Sequence, residues 1–307
     1  MGRPLIEAPA DEFLAGVFTS DAGERPYKLF RPSAARLPMA GQRMLLVMLH
    51  GCTQQADDVA KGTRFNEAAA RDGFLVLYPE QSLAAHPLRC WRWYEPDQIG
   101  RGRGEASIIA QLTAKVTRDE GVDARRVFVA GMSAGAGMAA SLAAGYPEQF
   151  AAAAFHSGVP AFFATDATSA LALMRKGPPE GDALGAAVYQ AMGARARVVP
   201  AISVHGAADP VVSVLNLAAV TRQWAVANAL ASGVETPHMS AIHSDDARLT
   251  GQRFALATGE VLAESWRIAG LGHAWSGGST AGSYTDPAAP DSSTMMLGFF
   301  RRTLRRG

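Results

Sequence analysis

Gly131-Met132-Ser133-Ala134-Gly135 follows the apolar run RVFVA and opens a stretch of small residues, so a serine sits where a strand turns sharply into a helix. Such a turn holds a hydroxyl out in a strained conformation and tolerates only small neighbours. A serine hydroxyl becomes a useful nucleophile only when a base takes its proton, so acyl transfer through Ser133 needs a histidine within reach. Seven histidines are available, and His273, in Gly270-Leu271-Gly272-His273-Ala274-Trp275, is flanked by glycines that let a loop carry the imidazole over a sheet. His50, His156 and His205 border apolar runs, and His86, His238 and His243 lie in polar or irregular surroundings, so these read as structural or surface residues. The acid that orients the imidazole is sought between Ser133 and His273, where Asp166, Asp182, Asp209, Asp245, Asp246 and some glutamates are available. Asp209 is the best placed, one short turn beyond the apolar run PAISVH and ahead of Pro210, which cannot join a strand ladder.

An acyl-transfer intermediate also needs two N–H donors for its oxyanion. The residue after the nucleophile, Ala134, offers one, and Cys52, in the turn after an early strand, offers the second. The only cysteines are Cys52 and Cys90. They read either as a bridge pinning this turn to the aromatic segment Cys90-Trp91-Arg92-Trp93-Tyr94, or as buried free thiols. Trp91, Trp93, Tyr94 and Trp275 fall close to these positions and are expected to wall an apolar acyl pocket. The alternative for each is ordinary core. No metal or cofactor site is evident.

The elements that must hold these groups alternate between apolar runs and helix-like segments, which predicts an α/β fold with a mainly parallel central sheet flanked by helices on both faces. Strands are expected at 27–31, 43–49, 74–78, 126–130, 152–156 and 200–205, with a hairpin over 252–268 turning at Thr258-Gly259. Helices are expected at 57–71, 105–118, 134–144, 215–231 and 292–304. Residues 157–198 break this rhythm and read as a lid-like insertion within a single domain spanning 1–307.

The chain has 307 residues, 48% hydrophobic and 19% charged, with 29 basic and 28 acidic side chains. This excludes disorder and collagen-like structure. With a formal net charge of +1 and no basic cluster beyond Arg301, Arg302, Arg305 and Arg306, nothing would recruit a phosphate backbone, so no nucleic-acid partner is expected. The most apolar run, 44–49, stops at His50, far short of a membrane span, so no membrane insertion is expected. MGRPLIEAPADEF lacks a basic segment followed by a long apolar one, so no secretory signal is expected in this chain, which leaves a cytoplasmic location open. Oligomeric state is not legible.

Taken together, Leu49-His50-Gly51-Cys52-Thr53-Gln54, Cys90-Trp91-Arg92-Trp93, the segment 131–135 and Gly272-His273-Ala274-Trp275-Ser276-Gly277-Gly278 resemble the esterases of the polyhydroxybutyrate depolymerase type. Tyr78-Pro79-Glu80-Gln81 and Gly282-Ser283-Tyr284-Thr285-Asp286-Pro287 are also similar, so the resemblance spans roughly 25–304. Two departures are Arg92, where asparagine is usual, and Tyr94, where phenylalanine is. No linker or substrate-binding domain of the kind many polymer-degrading members carry is expected within residues 1–307. The resemblance implies an α/β-hydrolase domain with a Ser-His-Asp mechanism on short-chain polyesters or their oligomers, without cofactor, and an extracellular or periplasmic location. Other esters within the same mechanism are the alternative: feruloyl or acetyl groups on carbohydrates, short alkyl esters or synthetic aliphatic polyesters. A non-catalytic ligand- or partner-binding scaffold of the same fold is the alternative outside enzymology.

Overall fold

The computed structural model describes residues 10–179, 182–234 and 236–304. Arg305 and Arg306 lie outside the described residues, as does most of the N-terminal segment read above for a signal. The first half of the chain runs β1 (Glu12–Ser20), β2 (Gly23–Arg31), β3 (Arg43–Leu49), α1 (Ala56–Thr63), α2 (Phe65–Asp72), β4 (Leu75–Pro79), α3 (Pro96–Ile99), α4 (Gly104–Asp119), β5 (Val122–Met132) and α5 (Ala134–Gly145). It continues as β6 (Ala152–His156), α6 (Ala167–Lys176), α7 (Ala183–Met192), β7 (Ala201–Gly206), α8 (Leu215–Ala231), β8 (His238–Ile242), β9 (Leu249–Ala255) and β10 (Val261–Ile268). The short pair β11 (Trp275–Ser276) and β12 (Thr285–Asp286) precedes the closing helix α9 (Ser292–Leu304).

One ten-stranded sheet carries the order β1-β2-β4-β3-β5-β6-β7-β10-β9-β8. From β4 to β10 neighbouring strands are parallel, while β1 and β2 on one side and β9 and β8 on the other pair antiparallel. The parallel strands are buried on both faces, which is why β3, β4, β6 and β7 read as unbroken apolar runs rather than alternating ones. Two cores result. Side chains of α4, α5, α7 and α8 pack on one face around Trp91, Phe155 and Trp224. Those of α1, α2 and α9 pack on the other around Phe65, Phe128, Trp275 and Phe300.

Two expectations differ from the structure. The single helix expected over 57–71 is divided at Arg64, whose φ of 60° closes α1, its N–H donating to Ala60 O, and opens α2. The early strand expected at 27–31 is the end of a hairpin, β1–β2, whose outer member is mostly exposed and so lacks the apolar run that marks a covered strand. The segment 157–198 supplies α6 and α7 between β6 and β7, with α7 lying along α8. No helix among the described residues is long and apolar enough to cross a membrane.

Candidate active site

β5 ends at Met132 and α5 begins at Ala134, so Ser133 is the single residue of the turn, with φ 56° and ψ −120°. A non-glycine residue held there is strained, and the strain is sustained by its surroundings. Ser133 N–H donates to His156 O on β6 (2.9 Å), and Ser133 O accepts from Ala136 N (2.9 Å) and Gly137 N (3.1 Å). Gly135 is required because a Cβ there would lie 2.3 Å from Leu49 O and 2.5 Å from His50 O, so the helix start is pressed against the turn that follows β3. The Ser133 hydroxyl makes no hydrogen bond among the described residues and lines a cleft of about 170 Å³ with Gly51, Cys52, Gln54, Met132, Met174, Val211, His273 and Tyr284.

His273 Nδ1–H donates to Asp209 Oδ2 (2.7 Å). The two residues are carried by loops that follow β10 and β7, and a Cβ on Gly206 would lie 2.3 Å from Leu271 O, so only glycine lets those loops touch. The Asp209 carboxylate is saturated: Oδ1 accepts from Val211 N and Val212 N (2.9 Å each), and His205 Nε2 stands 3.4 Å from Oδ2. Burial alone would raise its pKa. The hydrogen bonds from His205 and His273, the His273 charge and the Val212 N–H outweigh burial and hold the carboxyl well below the usual carboxylate range. The other acids considered serve elsewhere: Asp166 caps α6, Asp182 pairs with Arg222, Asp246 pairs with Arg248, and Asp245 is exposed.

In the turn after β3, Gly51 N–H donates to Gln54 Oε1 (2.9 Å), Thr53 N–H to Leu88 O (2.7 Å) and Gln54 N–H to Gly51 O (3.3 Å). The Cys52 N–H has no acceptor among the described residues, and Ala134, as the first residue of α5, has an N–H that the helix cannot use. Cys52 and Ala134 together with Ser133 line a smaller pocket, about 40 Å³, completed by Trp93, Ser157, Val159, Met174 and Val212. Cys52 is bonded to Cys90. Gln54 ties the turn to the late loop, its Nε2 donating to Asp58 Oδ2 (2.9 Å) and to Ser283 O (3.2 Å).

The aromatic residues divide. Trp93 lines the small pocket, but Trp91 and Trp275, expected as pocket walls, are 0% and 1% exposed and belong to the cores. Trp91 lies against the His50 ring (5.2 Å between centroids). Trp275 is stacked on His156 (4.8 Å), meets Phe65 edge-on and donates from Nε1 to Ser293 Oγ (3.0 Å). Tyr94 is half-buried, edge-on to Trp93, and lines neither pocket. His50 and His156 are fully buried, and burial holds both neutral. Burial lowers His50 to about 4, against a partly compensating hydrogen bond to Gly51 O, and lowers His156 to about 3. Residues that sequence reasoning did not single out are Met174, Val159, Val211, Val212 and Ser157, which reach the pockets from the loops and helix between β6 and α8, and Tyr284, whose hydroxyl is 3.1 Å from Thr53 Oγ1. Tyr284 lies in the segment 282–287 already noted for its resemblance, whereas no local motif announces the others, because the chain folds them onto the site from outside the strand-to-helix turns.

Residues 26–239 match the family described as Esterase PHB depolymerase. Poly(3-hydroxyalkanoate) depolymerase C of Paucimonas lemoignei is 32% identical over 240 residues, covering 76% of this chain and 56% of that protein. Acetylxylan esterase A of Aspergillus oryzae is 31% identical over 143 residues, covering 46% of each. The chain thus spans about half the length of these relatives. Among solved structures, the acetyl xylan esterase from Aspergillus awamori superposes with a TM-score of 0.71 at 22% identity, covering 85% of this chain and 94% of that one, which shows a shared α/β-hydrolase fold.

Proposed function

This chain belongs to the PHB depolymerase family of esterases, and we propose that it is a serine ester hydrolase acting on short-chain polyesters of the poly-3-hydroxybutyrate type or on their oligomers. The observation that carries this reading is one cleft lined by both Ser133 and His273, with His273 bonded on its far side to the buried Asp209. In this mechanism Ser133 Oγ attacks the ester carbonyl while His273 Nε2 takes its proton, and Asp209 holds Nδ1–H and stabilises the imidazolium. The oxyanion is received by the N–H groups of Cys52 and Ala134. Collapse expels the alcohol, protonated by His273. The acyl-enzyme is then hydrolysed by a water that His273 activates.

The volume of the small pocket supports a short acyl group. By the measure in which one water needs about 10–15 Å³, about 40 Å³ holds three or four water-sized groups. A second reading, deacetylation of carbohydrates, is favoured by the likeness to acetylxylan esterase A and by the same small pocket. A hydrolysis panel separates the two: 3-hydroxybutyrate oligomers turned over faster than acetylated xylan supports the first reading, and the reverse order supports the second. Lack of Ser133 labelling by a fluorophosphonate would remove both in favour of a binding scaffold. The Cys52–Cys90 bond supports function in an oxidising compartment, outside the cytoplasm.

A further inference from the structure

His156 closes β6 with its ring fully buried. The Ser276 N–H, which can only donate, points at its Nε2 (3.3 Å), so Nε2 carries a lone pair. The single proton of the neutral ring therefore sits on Nδ1, which is 3.1 Å from Ser157 Oγ. Nδ1–H donates and Ser157 Oγ accepts. Desolvation by burial lowers His156 to about 3, so the tautomer holds at any working pH. The Ser157 hydroxyl proton is thereby left to be donated elsewhere, and among the described residues no protein group accepts it.

Ser157 is fully buried, has φ 50°, and is anchored by its N–H to Val204 O (2.9 Å). Ser157 is among the residues that line the small pocket beside Ser133 and Ala134, where the other walls are Cys52, Trp93, Val159, Met174 and Val212. A hydroxyl with a proton left to donate, on a residue that lines an otherwise apolar pocket next to the nucleophile, is suited to recognise an acceptor on the acyl part of the substrate. Resting on the esterase reading above, we propose that Ser157 determines acyl specificity by donating a hydrogen bond to an oxygen on the third carbon of the acyl group. Each repeat of a 3-hydroxyalkanoate polyester carries such an oxygen, as a free hydroxyl at the chain end and as an ester oxygen within the chain. Both can accept. The 3-hydroxybutyryl group has four non-hydrogen atoms beyond its carbonyl, which matches the three or four groups that about 40 Å³ holds.

The test compares kcat/KM for p-nitrophenyl 3-hydroxybutyrate and p-nitrophenyl butyrate in the native enzyme, Ser157→Ala and Ser157→Gly, the glycine relieving the positive φ. One hydrogen bond predicts a roughly tenfold fall in the hydroxybutyryl-to-butyryl ratio in either folded variant. A ratio within twofold of native in a variant whose thermal unfolding is cooperative overturns the proposal. Should both variants unfold, the native enzyme alone decides. After normalisation to alkaline hydrolysis rates, the 3-oxobutyryl ester, an acceptor only, should be favoured over butyryl about as strongly as the hydroxy ester, and equal turnover of all three overturns the assignment. Native enzyme that hydrolyses these esters with unchanged ratios leaves the esterase reading standing and removes only Ser157's role. Native enzyme inert on every ester removes both.

Discussion

Trp275→Ala should act on stability before it acts on substrate. The indole is 1% exposed, stacked on His156, edge-on to Phe65 and hydrogen-bonded to Ser293 Oγ, so truncation opens a cavity in the core beneath the site. Loss of a buried Trp side chain costs about 3–5 kcal/mol. An unfolding entropy of about 2.1 cal/mol/K per residue gives about 0.64 kcal/mol/K for 307 residues, so the midpoint of thermal unfolding should fall by about 5–8 °C. Trp91→Ala should behave alike, because its indole is buried against the His50 ring. The assay is thermal unfolding by circular dichroism, paired with kcat and KM on p-nitrophenyl acetate and on a 3-hydroxybutyrate oligomer at a temperature where each variant is fully folded. A Trp275→Ala protein that melts within about 1 °C of the native one while losing oligomer turnover selectively would refute the reasoning. It would put the indole on the substrate side of the fold.

Ser133→Ala should abolish labelling by a fluorophosphonate and lower kcat by at least about a thousandfold while leaving the thermal midpoint within a few degrees, and near-native turnover in a verified preparation would exclude Ser133 as nucleophile. Replacing Cys52 and Cys90 together by alanine opens a loop of 38 residues, which in the chain-entropy model lowers stability by about 4 kcal/mol, measurable as a shifted urea midpoint. His50 and His156 are neutral in the folded state down to about pH 4 and 3, whereas in the unfolded chain they take up protons near pH 6.5. The unfolded state therefore binds more protons between about pH 6 and 4, and stability should decline as pH falls through that window by about 1.4 kcal/mol per pH unit for each histidine. Urea titrations of the native protein and His50→Gln should differ in slope there, and identical slopes would mean that the imidazole is not held neutral.

Legibility in the sequence followed burial. β3, β6 and β7 are covered on both faces, and their unbroken apolar runs match the expected boundaries within a residue. α8 and α9 agree with the periodicity at both ends. The Ser133 turn, the Asp209 turn and the His273 loop were each readable because a strand end and small residues impose a local geometry. β1 and β8 were not, since an exposed edge strand needs no apolar run and is specified by pairing with its neighbour. Trp91 and Trp275 depart from the expectation for a related reason. Proximity in sequence to His273 and Cys90 says nothing about which side of a loop a ring occupies, and the rings of Trp91 and Trp275 are claimed by the cores on opposite faces of the sheet.

The late segment carrying His273 thus serves several tasks within a few residues. His273 faces the cleft and Asp209, Trp275 fills the core beneath, and Ser276 N–H sets the tautomer of His156. Further on, Ser283 O accepts from Gln54 Nε2 and Ser283 N–H donates to Asp58 Oδ1, coupling the same loop to the turn that presents the Cys52 N–H. His273, proposed as the base, the Cys52 N–H, proposed as an oxyanion donor, and the Ser157 hydroxyl are consequently tied to one stretch of chain rather than to three independent loops. A substitution that shifts this stretch, such as Trp275→Ala, should therefore disturb acyl selectivity and turnover together. A substitution confined to the pocket wall, such as Val159→Ala, should alter selectivity for acyl length alone.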